Sequence, residues 1–335
     1  MTAALVIGRI GVDLTPPRPR TTLAEADGFI RAVGGFAGNI GTGLARLGVQ
    51  TAIVSAVGDD GHGDHVRSAL AGEGVDVSLV RTKPGTRTQV AFFEAWPPDR
   101  FPVTFYRLPP APDTLLDSTD LADPHLDDAR LMIVSGGLLA ADPARTALLD
   151  ALARRAARDT TAARDTTAAR DTTASSWIVL DLDWRPTLWA DASEYPALIT
   201  RALALADVVI GSDEEFAAAR LAPDHAVRGG GPAARQRIVV LKHGPDGVSL
   251  LTPAGRQHVA GIPVDVVCGL GAGDALSAAF CAGLVTGLDP LAALERGNAA
   301  GAMVASRLMC SSAMPTAPEI DAILRRVAIA VRGAD

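Results

Sequence analysis

Between Gly269 and Ala275 the chain reads Gly-Leu-Gly-Ala-Gly-Asp-Ala, and an apolar stretch, Leu-Ser-Ala-Ala-Phe-Cys-Ala-Gly-Leu-Val, follows directly over 276–285. Glycines let a backbone approach a ligand closely and turn successive N–H groups the same way. The helix predicted by the apolar run adds the positive end of its dipole, so the spot favours an anion such as a phosphate. Asp274 is the odd residue in that setting. A carboxylate beside a phosphate cradle is unfavourable unless it does chemistry, and taking a proton from an attacking hydroxyl is such chemistry. The structural alternative is an N-cap, since Asp after glycine is an ordinary helix start. A dinucleotide fingerprint would need glycine where Asp274 stands, and a Walker loop would need a lysine after glycine, which neither Lys83 nor Lys242 provides.

The elements that must position this loop are legible as alternation. Short β-rich runs at 5–8, 51–57, 131–135, 177–181, 208–211 and 237–241 are separated by helical stretches such as 39–47, 145–156 and 195–206. That order predicts a largely parallel sheet covered by helices. Polar residues gather where the runs stop: Ser135-Gly-Gly, Asp181-Leu-Asp-Trp-Arg185, Ser212-Asp-Glu-Glu215 and Lys242-His-Gly244. In open α/β sheets ligands bind outside the carboxyl ends of the strands, so these segments should converge with Gly269–Asp274 on one site.

Two regions, 12–33 and 86–112, break the alternation with proline clusters and period-two patterns, and are expected to form an antiparallel flap over the mouth of the sheet. Residues 158–173 repeat Arg-Asp-Thr-Thr-Ala-Ala, an insertion expected to extend the preceding helix or form a mobile loop. The remainder is expected to be one α/β domain over 1–335.

A chain of 335 residues, 48% hydrophobic and 21% charged, can bury a large core without staples. No uncharged apolar run reaches membrane-spanning length, and Met1 to Gly8 lacks the basic start of a signal peptide, so no membrane partner is expected. Cys268, Cys281 and Cys310 are odd in number and far apart, which fits a reducing compartment and a cytoplasmic location. A net charge of −7 with 4% aromatics argues against a nucleic-acid surface. Arginine supplies nearly all of the basic residues, and its fork suits carboxylate and phosphate.

Asp13 ends the first strand and could accept two sugar hydroxyls, while Gly34-Gly35 precede a small-residue helix that carries Asn39, a candidate polar contact. Asp59-Asp-Gly-His62-Gly-Asp-His65 resembles a metal cluster on paper but reads more simply as a capped turn.

In order and spacing, Gly34-Gly35 with Asn39, Val57-Gly-Asp-Asp-Gly61, Lys242-His-Gly-Pro-Asp-Gly247 and Gly269–Asp274 resemble the ribokinase-like (PfkB) carbohydrate kinases, over about residues 5 to 320. Within that family, Gly8-Arg-Ile-Gly-Val-Asp-Leu14, Phe105-Tyr-Arg-Leu-Pro-Pro-Ala-Pro-Asp113, Asp181-Leu-Asp-Trp-Arg-Pro186 and the string from Asn298 to Thr316 are similar to the 5-dehydro-2-deoxygluconokinases. The resemblance implies a three-layer α/β/α sandwich with a small β lid, and the flap is expected to pair with a second copy as a homodimer through the lid. It implies ATP-dependent phosphorylation of the C6 hydroxyl of the sugar acid 5-dehydro-2-deoxygluconate; 2-dehydro-3-deoxygluconate is an alternative substrate, and an idle sugar-acid sensor, encouraged by Ser212 and Cys268, is the alternative of another class.

Carried onto these residues, Asp274 would be the base and the amides of Gly271, Ala272 and Gly273 the anion hole. Asp13, Gly35 and Asn39 would bind sugar hydroxyls, Arg107 and Arg185 the substrate carboxylate or phosphates, and Lys242, Gly244, Gly247 and Asn298 the nucleotide. Glu215 would order water around Mg²⁺, although Ser212 stands where the family has Asn. Six residues before Asp274, where the family commonly has Asp or Asn near a monovalent cation, the chain has Cys268, a poor ligand for K⁺. Thr15 also replaces an expected tyrosine.

Overall fold

The computed structural model describes residues 2–122, 126, 128–164, 176–228 and 237–332. Its main sheet has nine strands in the order β13-β12-β11-β10-β9-β8-β1-β4-β5. These are β1 (Ala4–Ile7), β4 (Thr51–Gly58), β5 (Val80–Lys83), β8 (Leu131–Ser135), β9 (Trp177–Asp181), β10 (Val208–Ser212), β11 (Ile238–Lys242), β12 (Gly247–Thr252) and β13 (Gly255–Ala260). Neighbours from β11 across to β5 are parallel, whereas β12 and β13 join the edge as an antiparallel hairpin.

The parallel strands are apolar throughout because both faces are covered. Alternation along β1 divides the core: Leu5 and Ile7 point into one cluster with Leu148, Leu152 and Ile199, while Ala4 and Val6 point into another with Phe36, Ile40 and Phe280. Helices Ala144–Arg164 and Tyr195–Leu203 therefore cover one face, and Phe36–Arg46 and Ala272–Val285 the other. This is a three-layer α/β/α sandwich.

A second sheet of four strands, order β3-β2-β6-β7, is formed by β2 (Gly11–Thr15), β3 (Ile30–Gly34), β6 (Val90–Phe93) and β7 (Val103–Tyr106). It occupies the two regions that break the alternation. The expected antiparallel flap is corrected in one respect: β2 and β6 run parallel, because β6 returns from beyond the main-sheet strands β4 and β5. The start of the hexamer repeat lies in the helix Ala144–Arg164, and residues 165–173 lie outside the described residues.

The acidic turn at Asp59–His65 is a helix start. Asp60 caps Gly61–Gly72 by accepting from the amides of His62 and Gly63 and also takes the amide of Thr88, tying the turn to the approach of β6. Among the described residues no cluster of three metal-ligating side chains occurs, and no helix is long and apolar enough to cross a membrane.

Candidate active site

The chain reverses its direction of travel across the sheet between β1 and β8, and the site lies outside their carboxyl ends. A cavity of about 400 Å³ there is lined by Arg9, Asp13, Gly35, Asn39, Asp183, Arg185 and Asp274, and by Phe101 and Phe105 from the small sheet.

Asp274 sits in the first turn of the helix Ala272–Val285, whose N-cap is Gly271 in the left-handed conformation at φ 82°. Its side chain makes no cap bond. Instead the Asn39 amide donates to Asp274 Oδ2 at 2.7 Å, across 235 residues of sequence. One turn further along both helices, a Cβ added at Gly43 would come within 2.8 Å of the Ala278 methyl. The small residues of Phe36–Arg46 thus let two helices touch, and positions four apart on each bring Asn39 onto Asp274. Asn39 Oδ1 is buried without a partner.

Burial raises the pKa of Asp274 above the ordinary carboxylate value, and the Asn39 hydrogen bond, Arg185 and Lys242 pull it back. Burial also raises Asp13 to about 7, opposed by a hydrogen bond with Cys310. Gly34 makes room for Asp13: a Cβ there would fall about 2.0 Å from its carboxylate.

Of the amides at the loop, that of Ala272 bonds the Gly269 carbonyl at 3.3 Å, while those of Gly271 and Gly273 have no protein acceptor among the described residues. A Cβ at Gly273 would lie 3.3 Å from Lys242 Nζ, which places the ammonium against the loop. Lys242 also faces Glu215 at 3.4 Å and Asp181 at 3.8 Å, and these two carboxylates hold its pKa above the ordinary lysine value against the effect of burial. Asp181 is itself raised to about 7 by burial and accepts from the Ser277 hydroxyl at 2.8 Å. The two oxygens of Glu215 accept the amides of Trp184 and Ser212, and Ser212 completes a capping box.

Other expected residues stand apart from the cavity. Arg107 forks onto Asp113 at 2.6 and 2.8 Å and also donates to Gln89 Oε1, so its guanidinium is occupied by protein. Asn298 donates to the Ala260 carbonyl at 2.8 Å, clamping the end of β13. Gly247 has φ 105°, and a Cβ there would strike the Val259 carbonyl; Gly244 has open space beside it.

Sequence reasoning missed Arg9 and Asp183, which pair at 2.7 Å inside the cavity wall, and Phe101, which packs on Gly269. The pair spans 174 residues, so spacing carried no signal for it. The thiol of Cys268 is buried beside Ala32, Phe93, Ala95 and Met309, and burial raises its pKa to about 11. A neutral thiol among apolar side chains does not fit a hard cation such as K⁺.

Comparison with known proteins adds four findings. The family profile described as "pfkB family carbohydrate kinase" matches residues 1–317. A 5-dehydro-2-deoxygluconokinase of Clostridium tetani is 32% identical over 329 residues, covering 95% of this chain and 91% of that protein. Among solved structures, aminoimidazole riboside kinase from Salmonella enterica, complexed with aminoimidazole riboside and an ATP analogue, is 25% identical with a TM-score of 0.74 and covers 96% of this chain and 99% of its own. A ribokinase II from Escherichia coli in complex with ATP and Mg²⁺ shares the fold at 23% identity, with a TM-score of 0.80 and coverage of 97% and 100%.

Proposed function

Because the chain belongs to the pfkB family of carbohydrate kinases, we propose that it transfers the γ-phosphoryl group of ATP to the C6 hydroxyl of a sugar acid, with 5-dehydro-2-deoxygluconate the best single substrate. The observation that carries the reading is the juxtaposition at one helix start of a base, Asp274, with free loop amides and the Lys242 ammonium. Asp274 takes the hydroxyl proton, while the amides of Gly271 and Gly273, with Ala272 between them, receive the charge that develops on the phosphoryl oxygens. Asp13 and the unpartnered Oδ1 of Asn39 accept sugar hydroxyls, and Gly35 gives the sugar room. Arg185, half exposed at the mouth, attracts the anionic ends.

Ile262, Pro263, Val264 and Val267, on the run into the glycine loop, line with Ile323 and Val327 of the last helix a groove of about 980 Å³ whose rim also carries Asp265 and Arg326, and this groove is suited to a nucleotide base. Asn298 fixes the start of that segment through Ala260. The acidic pair Asp181 and Glu215 fits the waters of a Mg²⁺ ion that arrives with ATP, since such ions keep several waters and few protein ligands. The small sheet serves as a lid. Its exposed Phe29, Ile30, Phe105, Tyr106 and Leu108 suit pairing with a second copy of the chain.

The substrate is tested by an ATP-coupled turnover screen across 5-dehydro-2-deoxygluconate, 2-dehydro-3-deoxygluconate, ribose, fructose and adenosine, with the first expected to give the highest kcat/KM. In the same assay Asp274→Asn should lower kcat by roughly 10²–10⁴-fold, the usual worth of a general base, with ATP binding retained. Turnover unchanged in that variant would remove Asp274 as the base.

A further inference from the structure

Arg9 has no part in the scheme above, yet it is the cation enclosed by the cavity wall, with only 6% of its surface exposed. Its guanidinium donates through one terminal nitrogen to Asp183 Oδ2 at 2.7 Å and through the other to Oδ1 at 3.2 Å. A guanidinium carries five N–H groups. No further hydrogen bond from Arg9 is formed among the described residues, so part of its fork is left toward the cavity.

Three separate features fix this one group. Asp183 holds a left-handed backbone at φ 39°, unusual for a residue with a side chain. Its carboxylate also takes the Ser135 hydroxyl, and its amide is held by Asp181 Oδ1 at 3.2 Å. Gly137 lacks a side chain where a Cβ would come within 2.5 Å of an Arg9 terminal nitrogen. A tie between the ends of β1 and β9 would need none of this precision in a group that faces a cavity.

We infer that Arg9 selects an acidic substrate by donating its unpaired N–H groups to the carboxylate, with Asp183 as the residue that positions it. The inference rests on the sugar-acid reading and deepens it. Arg107 cannot fill this role while its fork is closed by Asp113 and Gln89. Nor does the cavity attract an acid by its overall charge, for Asp13, Asp183 and Asp274 face it against Arg9 and Arg185. An anion therefore needs a fixed donor in the cavity wall. Arg185 is half exposed and touches Asp183 only at 3.7 Å, so it steers where Arg9 grips.

The test compares wild type with Arg9→Lys, which keeps a charge against Asp183 but loses the fork, and with the neutral pair Arg9→Gln/Asp183→Asn, which removes both charges together. Folding is checked by thermal melting. KM is measured for the sugar acid, for the analogue with a hydroxymethyl group in place of its carboxylate, and for ATP. In whichever variants fold, KM for the acid should rise roughly 10- to 100-fold, the worth of charge-assisted hydrogen bonds, with the neutral analogue and ATP little changed. An unchanged KM for the acid, or equal weakening of acid, analogue and ATP, overturns the inference. A wild-type enzyme that phosphorylates neutral sugars and ignores acids fails earlier, at the proposed function, and takes the inference with it.

Discussion

Asp274 stood out in the sequence because an acid in a phosphate cradle is locally unfavourable, and in the structure its side chain does not cap the helix. It lies in the first turn beyond the cap and spends its hydrogen bond on Asn39 rather than on the helix. What no local pattern could show is that Asn39 would be its partner, since that bond depends on two helices meeting. Arg107 shows the converse, a fork suited to an anion that is bonded in the structure to a carboxylate six residues further along the chain. Asp13 supports a pH prediction. Burial raises it to about 7, so between its ordinary value of 3.8 and about 7 the folded chain keeps a proton that the unfolded chain has lost. Its contribution makes the protein less stable as pH rises through that window, and the penalty is complete above it. Binding has the opposite dependence if the ionised carboxylate is the form that accepts sugar hydroxyls. The KM for sugar should then rise as pH falls from 8 to 6 while the KM for ATP stays flat; a sugar KM flat over that range would remove Asp13 from the binding set.

At the scale of elements, the buried parallel strands were readable as continuous apolar runs with polar ends, whereas the hairpin β12–β13 was not. β13 reads Gly-Arg-Gln-His-Val-Ala and is almost wholly exposed, so neither hydrophobicity nor alternation marks it. The segment before the glycine loop was readable only as a departure from a pattern. Its structure gives the departure a physical meaning: the amides of Val267 and Cys268 both donate to the Ala305 carbonyl, and the Cys268 thiol faces the apolar underside of the small sheet. The loop is joined to the small-sheet region by packing, with Phe101 against Gly269. Turnover should consequently be the same in K⁺ as in tetramethylammonium salts at equal ionic strength, and a several-fold stimulation by K⁺ would contradict this account.

For the whole molecule, the layered sandwich followed from the alternation of strands and helices, and the place of the site followed from where the strands end. The pairing of Arg9 with Asp183 did not, because β1 and β9 become close only through the order in which the sheet is assembled. The small sheet leaves Tyr106 and Leu108 more than half exposed, with Phe29, Phe92 and Tyr106 stacked edge to face beside them. A surface of that kind is stable in water when a partner covers it. Sedimentation should show a dimer, and Tyr106→Lys/Leu108→Lys should shift it toward the monomer with the melting temperature of the main domain retained. A monomeric wild type at micromolar concentration would exclude lid pairing.

The helix that begins at the glycine loop packs against Pro290–Ala305, which meets it at Gly297 and Gly301 with no side chain. A Cβ at Gly301 would approach the Ala272 carbonyl to 3.1 Å, and one at Gly297 the Leu276 carbonyl to 2.9 Å. Position 301 does not line the cavity, yet its bareness lets the helix start that carries the proposed anion-binding amides pack this closely. The geometry proposed for the reaction would then be set from behind, by a spacer of zero thickness. A single methyl group inserted there would act as a shim, registering in kcat before it registered in any binding constant.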